Sequence, residues 1–208
     1  MAIFISFEGG DGSGKSTHAR TLANRLKLEG LDVKLVREPG STPLGQYLRE
    51  WLKQERDTDD ISPTTELLLF SAARAELVEK VVAPALEKGT TVISDRFSGS
   101  TLAYQGYGRG LSIGTINEIN KTSTSGLIPD LTILLDCPVE IGLARGNDGQ
   151  GQRRFEEESF HFHERVRQGY LKLANAHSDR WHTIDSTLSV PKIEEFVWAL
   201  VTPYLTAD

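Results

Sequence analysis

Cysteine is almost missing from this chain: Cys137 is the only one among 208 residues. One thiol cannot form an internal disulfide, so no cross-link holds the fold together, and a reducing compartment is expected. Cys137 ends an apolar run and reads as a small buried residue rather than a nucleophile. Long hydrophobic runs are also missing. No window approaches the ~20 apolar residues that a membrane-crossing helix needs. No basic leader precedes the first apolar run, so a cytoplasmic protein with no membrane partner is expected. Positive charge is not in excess: 23 Lys and Arg stand against 29 Asp and Glu, for a net charge of −6. Such a chain is a poor ligand for nucleic acid or an anionic membrane, although a local cation cluster can still bind a small anion. Cys and His at metal-ligand spacing are absent. So are internal repeats and low-complexity tracts. His161 and His163 alternate with Phe160 and Phe162 and read as structural or solvated.

What is present is a regular alternation. Short apolar runs at Ile3–Phe7, Val33–Val36, Thr91–Ser94, Leu131–Leu135 and His182–Ile184 read as strands. The first, third and fourth are rich in β-branched residues and lack polar alternation, as strands buried on both faces do. Helical patterns lie between them, at Lys15–Glu29, Leu44–Lys53, Pro63–Lys88, Ile113–Thr122, Glu157–Ala176 and Lys192–Leu205. Pro84 is expected to kink or interrupt the third. Strands alternating with helices predict an α/β fold, a parallel sheet with helices on both faces. The length fits one domain, 1–208. Gly146–Gly151 has no apolar anchor, is flanked by arginines, and reads as a surface loop.

The densest signal is Gly9-Gly10-Asp11-Gly12-Ser13-Gly14-Lys15-Ser16, between a predicted strand and a predicted helix. This spacing is that of a phosphate-binding loop. Glycines let the backbone approach an anion with its N–H groups pointing inward, and the helix that starts at Lys15 adds its positive end. Lys15 offers a point charge to the β- and γ-phosphates, and the Ser16 hydroxyl suits Mg²⁺. The motif implies phosphate binding and leaves a kinase, a GTPase switch and a motor ATPase open. The nearest approach to a guanine signature is Asn120-Lys121-Thr122-Ser123, which lacks its aspartate, and this weakens the GTPase reading.

Further constellations narrow the choice. Asp95-Arg96 follows the third predicted strand, at the end where ligands bind in parallel sheets. Asp95 suits hydrated Mg²⁺, with Asp136 as a competing acid, and Arg96 suits a bidentate phosphate clamp. Arg145, Arg153 and Arg154 bracket the glycine loop and could close over a transferring phosphoryl group. Phe70 and Arg74 are four residues apart and share a helical face, so a ring and a fork of donors stand together. Tyr104 and Gln105 add a second ring and an amide.

In this order these strings resemble the thymidylate kinase family, bacterial type, over almost the whole chain: FEGGDGSGKST, REPG at Arg37–Gly40, LLFSAAR at Leu68–Arg74, DRFSGSTLAYQG at Asp95–Gly106, PDLTILLD at Pro129–Asp136 and RRFEEE at Arg153–Glu158. The resemblance implies a five-stranded parallel sheet in the order 2-3-1-4-5, a lid segment at about 145–157, and transfer of the γ-phosphoryl of ATP to dTMP with Mg²⁺ in a homodimer. It implies that Gly9, Gly10, Asp11, Gly12, Ser13, Gly14, Lys15, Ser16, Thr17 and Arg145 hold ATP. Ser16 and Asp95 would lie by the metal. Phe70 would stack on thymine and Arg74 would bond its edge. Arg96, with Arg49, would hold the acceptor phosphate. Asp11 would sit by the sugar 3′-hydroxyl, and Tyr104 would crowd the 2′ position. Ser100, Thr101 and Gln105 would complete the pocket, and Glu38 would lie near the phosphates. Lys15, Asp95, Arg96 and the lid arginines Arg153 and Arg154 would be catalytic. The phosphate loop carries no cation of its own between Gly9 and Gly14, which directs attention to those lid arginines, and to Arg154 first. Two rivals are a kinase for another monophosphate, such as dUMP or dCMP, and a nucleotide-switched binding module without transfer activity.

Overall fold

Phe4–Glu8 (β1) is buried at every position, as an unalternating apolar run requires. In the computed structural model, which describes residues 2–53, 61–146 and 158–205, β1 is the middle strand of a five-stranded parallel sheet. The order is β2-β3-β1-β4-β5, with Val33–Arg37 (β2), Thr91–Asp95 (β3), Leu131–Asp136 (β4) and Trp181–Asp185 (β5). Order and direction agree with the expectation. Each strand ends one residue beyond its predicted run, because the ladder continues through a charged residue: Glu8, Arg37, Asp95, Asp136 and Asp185. Register aligns these ends, with Phe7 opposite Asp95, Arg37 opposite Asp95, and Asp136 opposite Asp185. The carboxyl edge of the sheet is therefore a row of charges.

Helices cover both faces. Lys15–Leu28 (α1) and Val190–Leu205 (α9) pack on one, where Ile5, Phe7, Ile133 and Leu135 meet Leu22, Leu26, Ile193 and Val197. Residues of opposite parity along β1 point the other way: Phe4 joins Val92, Phe97, Leu77 and Val82. Leu134 lies on that side too, with Tyr104, Phe162, Val166 and Tyr170. The helices there are Pro63–Leu77 (α3), Ala83–Glu87 (α4), Ser98–Thr101 (α5), Ile113–Ser123 (α6) and Phe160–Ala176 (α8), while Pro43–Lys53 (α2) packs on α3 and Val139–Gly146 (α7) on α8. Burying each large apolar side chain contributes roughly 1.5–3 kcal/mol.

Pro84 does not stop its helix. Instead α3 widens into a π-helical turn at Val78–Val82 and resumes as α4. Proline lacks the N–H that an α-turn needs there and its ring crowds the carbonyl four residues back, so one wider turn accommodates it. The start of α3 follows the sequence: Ser62 Oγ accepts from the Thr65 N–H at 3.1 Å, with Pro63 next. The helical stretch from Ser98 through the wide turn Leu102–Gly108 has no predicted counterpart, nor does α7. Its glycines hide it, and tertiary contact explains them. A Cβ at Gly99 would lie 2.7 Å from the Trp181 ring and 2.9 Å from Glu8 Oε1.

Candidate active site

The side chains of the candidate site come from the charged edge of the sheet, from the start of α1, and from α2, α3 and the helical stretch after β3. The glycine loop connects β1 to α1. Gly14, at φ +89°, stands at the helix start. Gly12, at φ +68°, lies against α7, where a Cβ would come within 1.9 Å of the Gly142 carbonyl oxygen. Lys15 is buried, and its Nζ donates to the Gly10 carbonyl at 2.6 Å and to Ser13 Oγ at 3.2 Å, folding the side chain back over the loop. Burial lowers its pKa to about 8, and Arg96 acts in the same direction, against the pull of Asp11, Asp95 and Glu8. Such an ammonium gains most when an anion binds close to it.

Ser16, at the first turn of α1, donates to Asp95 Oδ2 at 2.5 Å. Asp136 takes another role: Arg167 donates to both of its oxygens, at 2.8 and 2.9 Å. The acid beside the phosphate loop is thus Asp95, and Asp136 is held in a forked ion pair. Among the described residues no group of three or more His, Cys, Asp or Glu side chains could hold a metal by itself. One hydroxyl and one carboxylate suit Mg²⁺, which keeps waters and takes other oxygens from phosphates.

Arg96 organises the next ring. Its φ of +73° is left-handed, a conformation costing a non-glycine residue about 1 kcal/mol or more and typical of sites where geometry outranks comfort. The guanidinium meets Asp11 Oδ1 at 2.6 Å, the Gly9 carbonyl at 3.0 Å, and the Tyr104 and Tyr170 hydroxyls at 3.3 Å. Tyr104 donates to Asp11 Oδ2 at 2.9 Å. Burial pushes the Asp11 carboxyl up, but Arg96 and then Lys15 outweigh it and hold the group below the ordinary carboxylate range. Arg49 is half-buried and donates to the Pro39 carbonyl at 3.3 Å. Burial, then the charges of Arg37 and Arg96, bring it down to about 10. Two arginines that depress a third form a concentration of positive charge, the setting in which a dianion binds.

Beyond lies a partly open pocket walled by aromatic and charged side chains. Phe70, Arg74, Arg96, Tyr104 and Gln105 line it, as do Glu38, Ser100 and Thr101. The helical face that carries Phe70 and Arg74 does turn both toward one cavity. Arg74 is 1% exposed, a burial that demands partners. Nη1 donates to Asn120 Oδ1 and Nη2 to Thr101 Oγ1, each at 2.6 Å. Its Nε lies 2.5 Å from Glu38 Oε1, an ion pair whose N–H is not aimed along the hydrogen-bond direction. Burial lifts the Glu38 carboxyl to about 7, against the pull of Arg74 and with Glu8 adding to the rise.

Sequence patterns pass over several residues of this site. Glu8 is fully buried and accepts from the Phe97 N–H at 2.9 Å, Ser100 Oγ at 2.6 Å and the Tyr170 hydroxyl at 3.1 Å, so it fixes the segment after β3. Asn120, in the string set against a guanine signature, braces Arg74. Glu66 accepts from Gln105 Nε2 at 2.9 Å and from Arg109 at 3.2 Å. For Glu8 and Glu66 the available clue is a charge at the end of a predicted strand or on a predicted helix; for Asn120 there is none. Arg145 donates to the Ser186 carbonyl at 3.0 Å, joining the end of α7 to the turn after β5. Buried Cys137 lies nearby, as its apolar reading required. Arg153 and Arg154, with most of the expected lid, lie outside the described residues.

A family model described as Thymidylate kinase matches residues 7–197. The thymidylate kinase of Thermomicrobium roseum is 48% identical over 203 residues, spanning 97% of this chain and 95% of the relative. That of Geotalea uraniireducens is 46% identical, spanning 97% of each. A crystal structure of thymidylate kinase from Ehrlichia chaffeensis superposes with a TM-score of 0.78 at 32% identity, covering 97% of this chain and 98% of that one. With a glycine loop of phosphate-binding spacing, a cation cluster and an aromatic-walled pocket that meet at Asp11 and Arg96, and with these matches, the chain belongs to the thymidylate kinase family.

Proposed function

We propose that the protein transfers the γ-phosphoryl group of ATP to dTMP, giving ADP and dTDP in the supply of dTTP. The observation that carries this reading is the adjacency of two anion-binding places: the glycine loop with Lys15, and the cluster of Arg37, Arg49 and Arg96, in which Arg96 acts on both Lys15 and Asp11 of the loop. One phosphate chain fits the first and one monophosphate the second. The base then falls between Phe70 and the Arg74–Gln105 edge.

The reaction is a displacement at phosphorus. An oxygen of the acceptor phosphate bonds to the γ-phosphorus while the β–γ bridging bond breaks and its electron pair leaves with ADP. The acceptor is already largely ionised near neutral pH, since the second pKa of such a phosphate is about 6, so no strong general base is required. Positioning and neutralisation of charge do the rest. Lys15 turns from its loop contacts to the β- and γ-oxygens, Arg96 and Arg49 hold the acceptor, and Arg154, with Arg153, meets the charge spread over the transferring group. Asp11 and Tyr104 hold the Arg96 guanidinium in plane and face the sugar. Ser16 and Asp95 would hold Mg²⁺, which supplies neutralisation of the phosphate oxygens when bound.

The reading extends to a homodimer: α2 and α3 pack together yet leave Leu44, Tyr47 and Leu68 exposed, at 42, 64 and 52%, apolar surface that a second copy would cover. The cytoplasm is the proposed location; among the described residues no helix is long and apolar enough to cross a membrane.

An assay of ADP formation with dTMP, dUMP, dCMP and dGMP as acceptors tests the function. Turnover that depends on dTMP and falls off for the others is expected. ATP hydrolysis indifferent to every monophosphate would instead identify a nucleotide switch.

A further inference from the structure

We infer that Glu66 is a positioning residue for base selection: it locks the Gln105 amide so that its carbonyl, and not its NH₂, is offered to the base. This rests on the proposed binding of a pyrimidine monophosphate in the aromatic-walled pocket. An amide side chain can turn either end to a ligand, and on its own gives no preference between a donor and an acceptor. Here the choice is removed. Glu66 is 0% exposed and Gln105 is 2% exposed. A carboxylate only accepts, so the group 2.9 Å from Glu66 Oε1 is the Gln105 NH₂. Arg109 aims the Glu66 carboxylate, donating from Nε and Nη2 at 3.2 Å each. Gln105 Oε1 accepts from no group among the described residues, while its side chain lines the pocket. The carbonyl is the half left for a ligand.

Arg74 is fixed in the complementary sense. Asn120 Oδ1 and Thr101 Oγ1 each take one of its N–H groups, and the Asn120 NH₂ is itself committed to the Ser98 carbonyl at 3.3 Å. Arg74 has only donors to offer. The pocket therefore presents one acceptor and one set of donors side by side. A thymine or uracil edge, with N3–H next to the O4 carbonyl, matches that pair. A cytosine edge, with an unprotonated N3 next to an amino group, opposes it at both atoms. A site built to hydrogen-bond one edge rejects the opposite one by large factors, because its buried polar groups are left unpaired.

The test compares kcat/KM for dTMP and dCMP in the wild type, Glu66→Gln and Glu66→Asp. In Glu66→Gln the side chain can donate to Gln105, so the amide is free to turn. The dTMP-to-dCMP ratio is expected to fall at least ~10-fold, mainly through KM, while Glu66→Asp, still acceptor-only, keeps most of it. A parallel loss for both substrates, with the ratio unchanged, would mean a merely structural carboxylate and would overturn the inference. A second measurement needs no altered Glu66. In the ¹⁵N-labelled wild-type protein, the Gln105 amide pair, identified by its disappearance in Gln105→Met, is expected to show one proton shifted downfield and protected from exchange. A pair at ordinary positions with fast exchange would equally overturn it. Wild type that phosphorylates no dTMP would remove the functional reading itself. Wild type that strongly prefers dTMP, with an unmoved ratio in Glu66→Gln, would remove only the role of Glu66.

Discussion

Arg96 Nη2 lies 2.6 Å from Asp11 Oδ1, a contact across 85 residues of chain that joins the phosphate loop to the end of β3. Their side chains are 14% and 18% exposed, so the pair is neither a surface salt bridge of little worth nor fully removed from water. It couples the two halves of the cleft. Arg96→Ala should raise KM for dTMP by roughly 10²-fold or more, since the clamp proposed for the acceptor phosphate would be lost and Asp11 left uncompensated. Arg96→Lys should recover little, because an ammonium cannot span Asp11, Tyr104 and a phosphate together. Steady-state kinetics with dTMP varied check both; a lysine variant close to wild type would reduce Arg96 to a point charge.

Lys15 should take up a proton when a nucleotide binds. Its pKa of about 8 makes it about half neutral in the free protein at pH 8, and a phosphate chain raises the value. Calorimetric titration with ADP at pH 8, in two buffers of different ionisation enthalpy, should show about half a proton bound per nucleotide. Lys15→Met should abolish this uptake and cut turnover by ~10²–10³. Identical heats in both buffers for the wild type would contradict the depressed value.

Glu38 gives the free protein a pH-dependent stability of a definite sign. Its folded carboxyl, at about 7, holds its proton more tightly than in the unfolded chain. The contribution is complete below the unfolded value near 4.3 and is lost as pH rises through about 7. Glu38→Gln carries no titration and should flatten this decline. Urea midpoints at pH 5 and pH 8 for both proteins, without nucleotide, check it: the wild type should lose more between the two pH values than the variant.

Gly12→Ala should damage the phosphate loop from a distance. Its Cβ would overlap the Gly142 carbonyl at 1.9 Å, in a left-handed backbone conformation that itself costs an alanine about 1 kcal/mol or more. Gly142→Ala presses on the same contact from the other side, 2.5 Å from the Asp11 carbonyl oxygen. Both should weaken ATP binding at least ~10-fold and lower Tm by several degrees, as overpacking of about 1–3 kcal/mol does. Unchanged ATP affinity in both would separate α7 from the loop.

Arg154→Ala should cut kcat by ~10²–10³ while leaving dTMP affinity nearly intact, the pattern of a group that meets charge only in the transition state. Arg153→Ala should do so less. Single-turnover rates together with equilibrium binding of dTMP separate the two effects, and an unaltered rate in Arg154→Ala would take that residue out of the mechanism.

The strands and their parallel sense were legible because a buried parallel strand must be continuously apolar and a helix between strands must show its own period, whereas their order came from the family resemblance alone. The phosphate loop was legible because only glycine tolerates its backbone. Phe70 and Arg74 were legible as a pair because four residues make one helical turn. The helical stretch after β3 was not, since its glycines answer to Trp181 and Glu8, neighbours distant in sequence.

The sequence by itself determined the strands, a glycine loop of phosphate-binding spacing and the inventory of charges at the strand ends, since these follow from local period and backbone freedom. Only the tertiary structure decided how those charges were spent. Asp136 went to Arg167 and Asp95 to Ser16; Arg96 went to Asp11. Buried Glu8, Glu66 and Asn120 became braces rather than surface residues. A polar group's role is fixed by which partner remains once water is excluded, and that depends on packing between segments far apart in the chain.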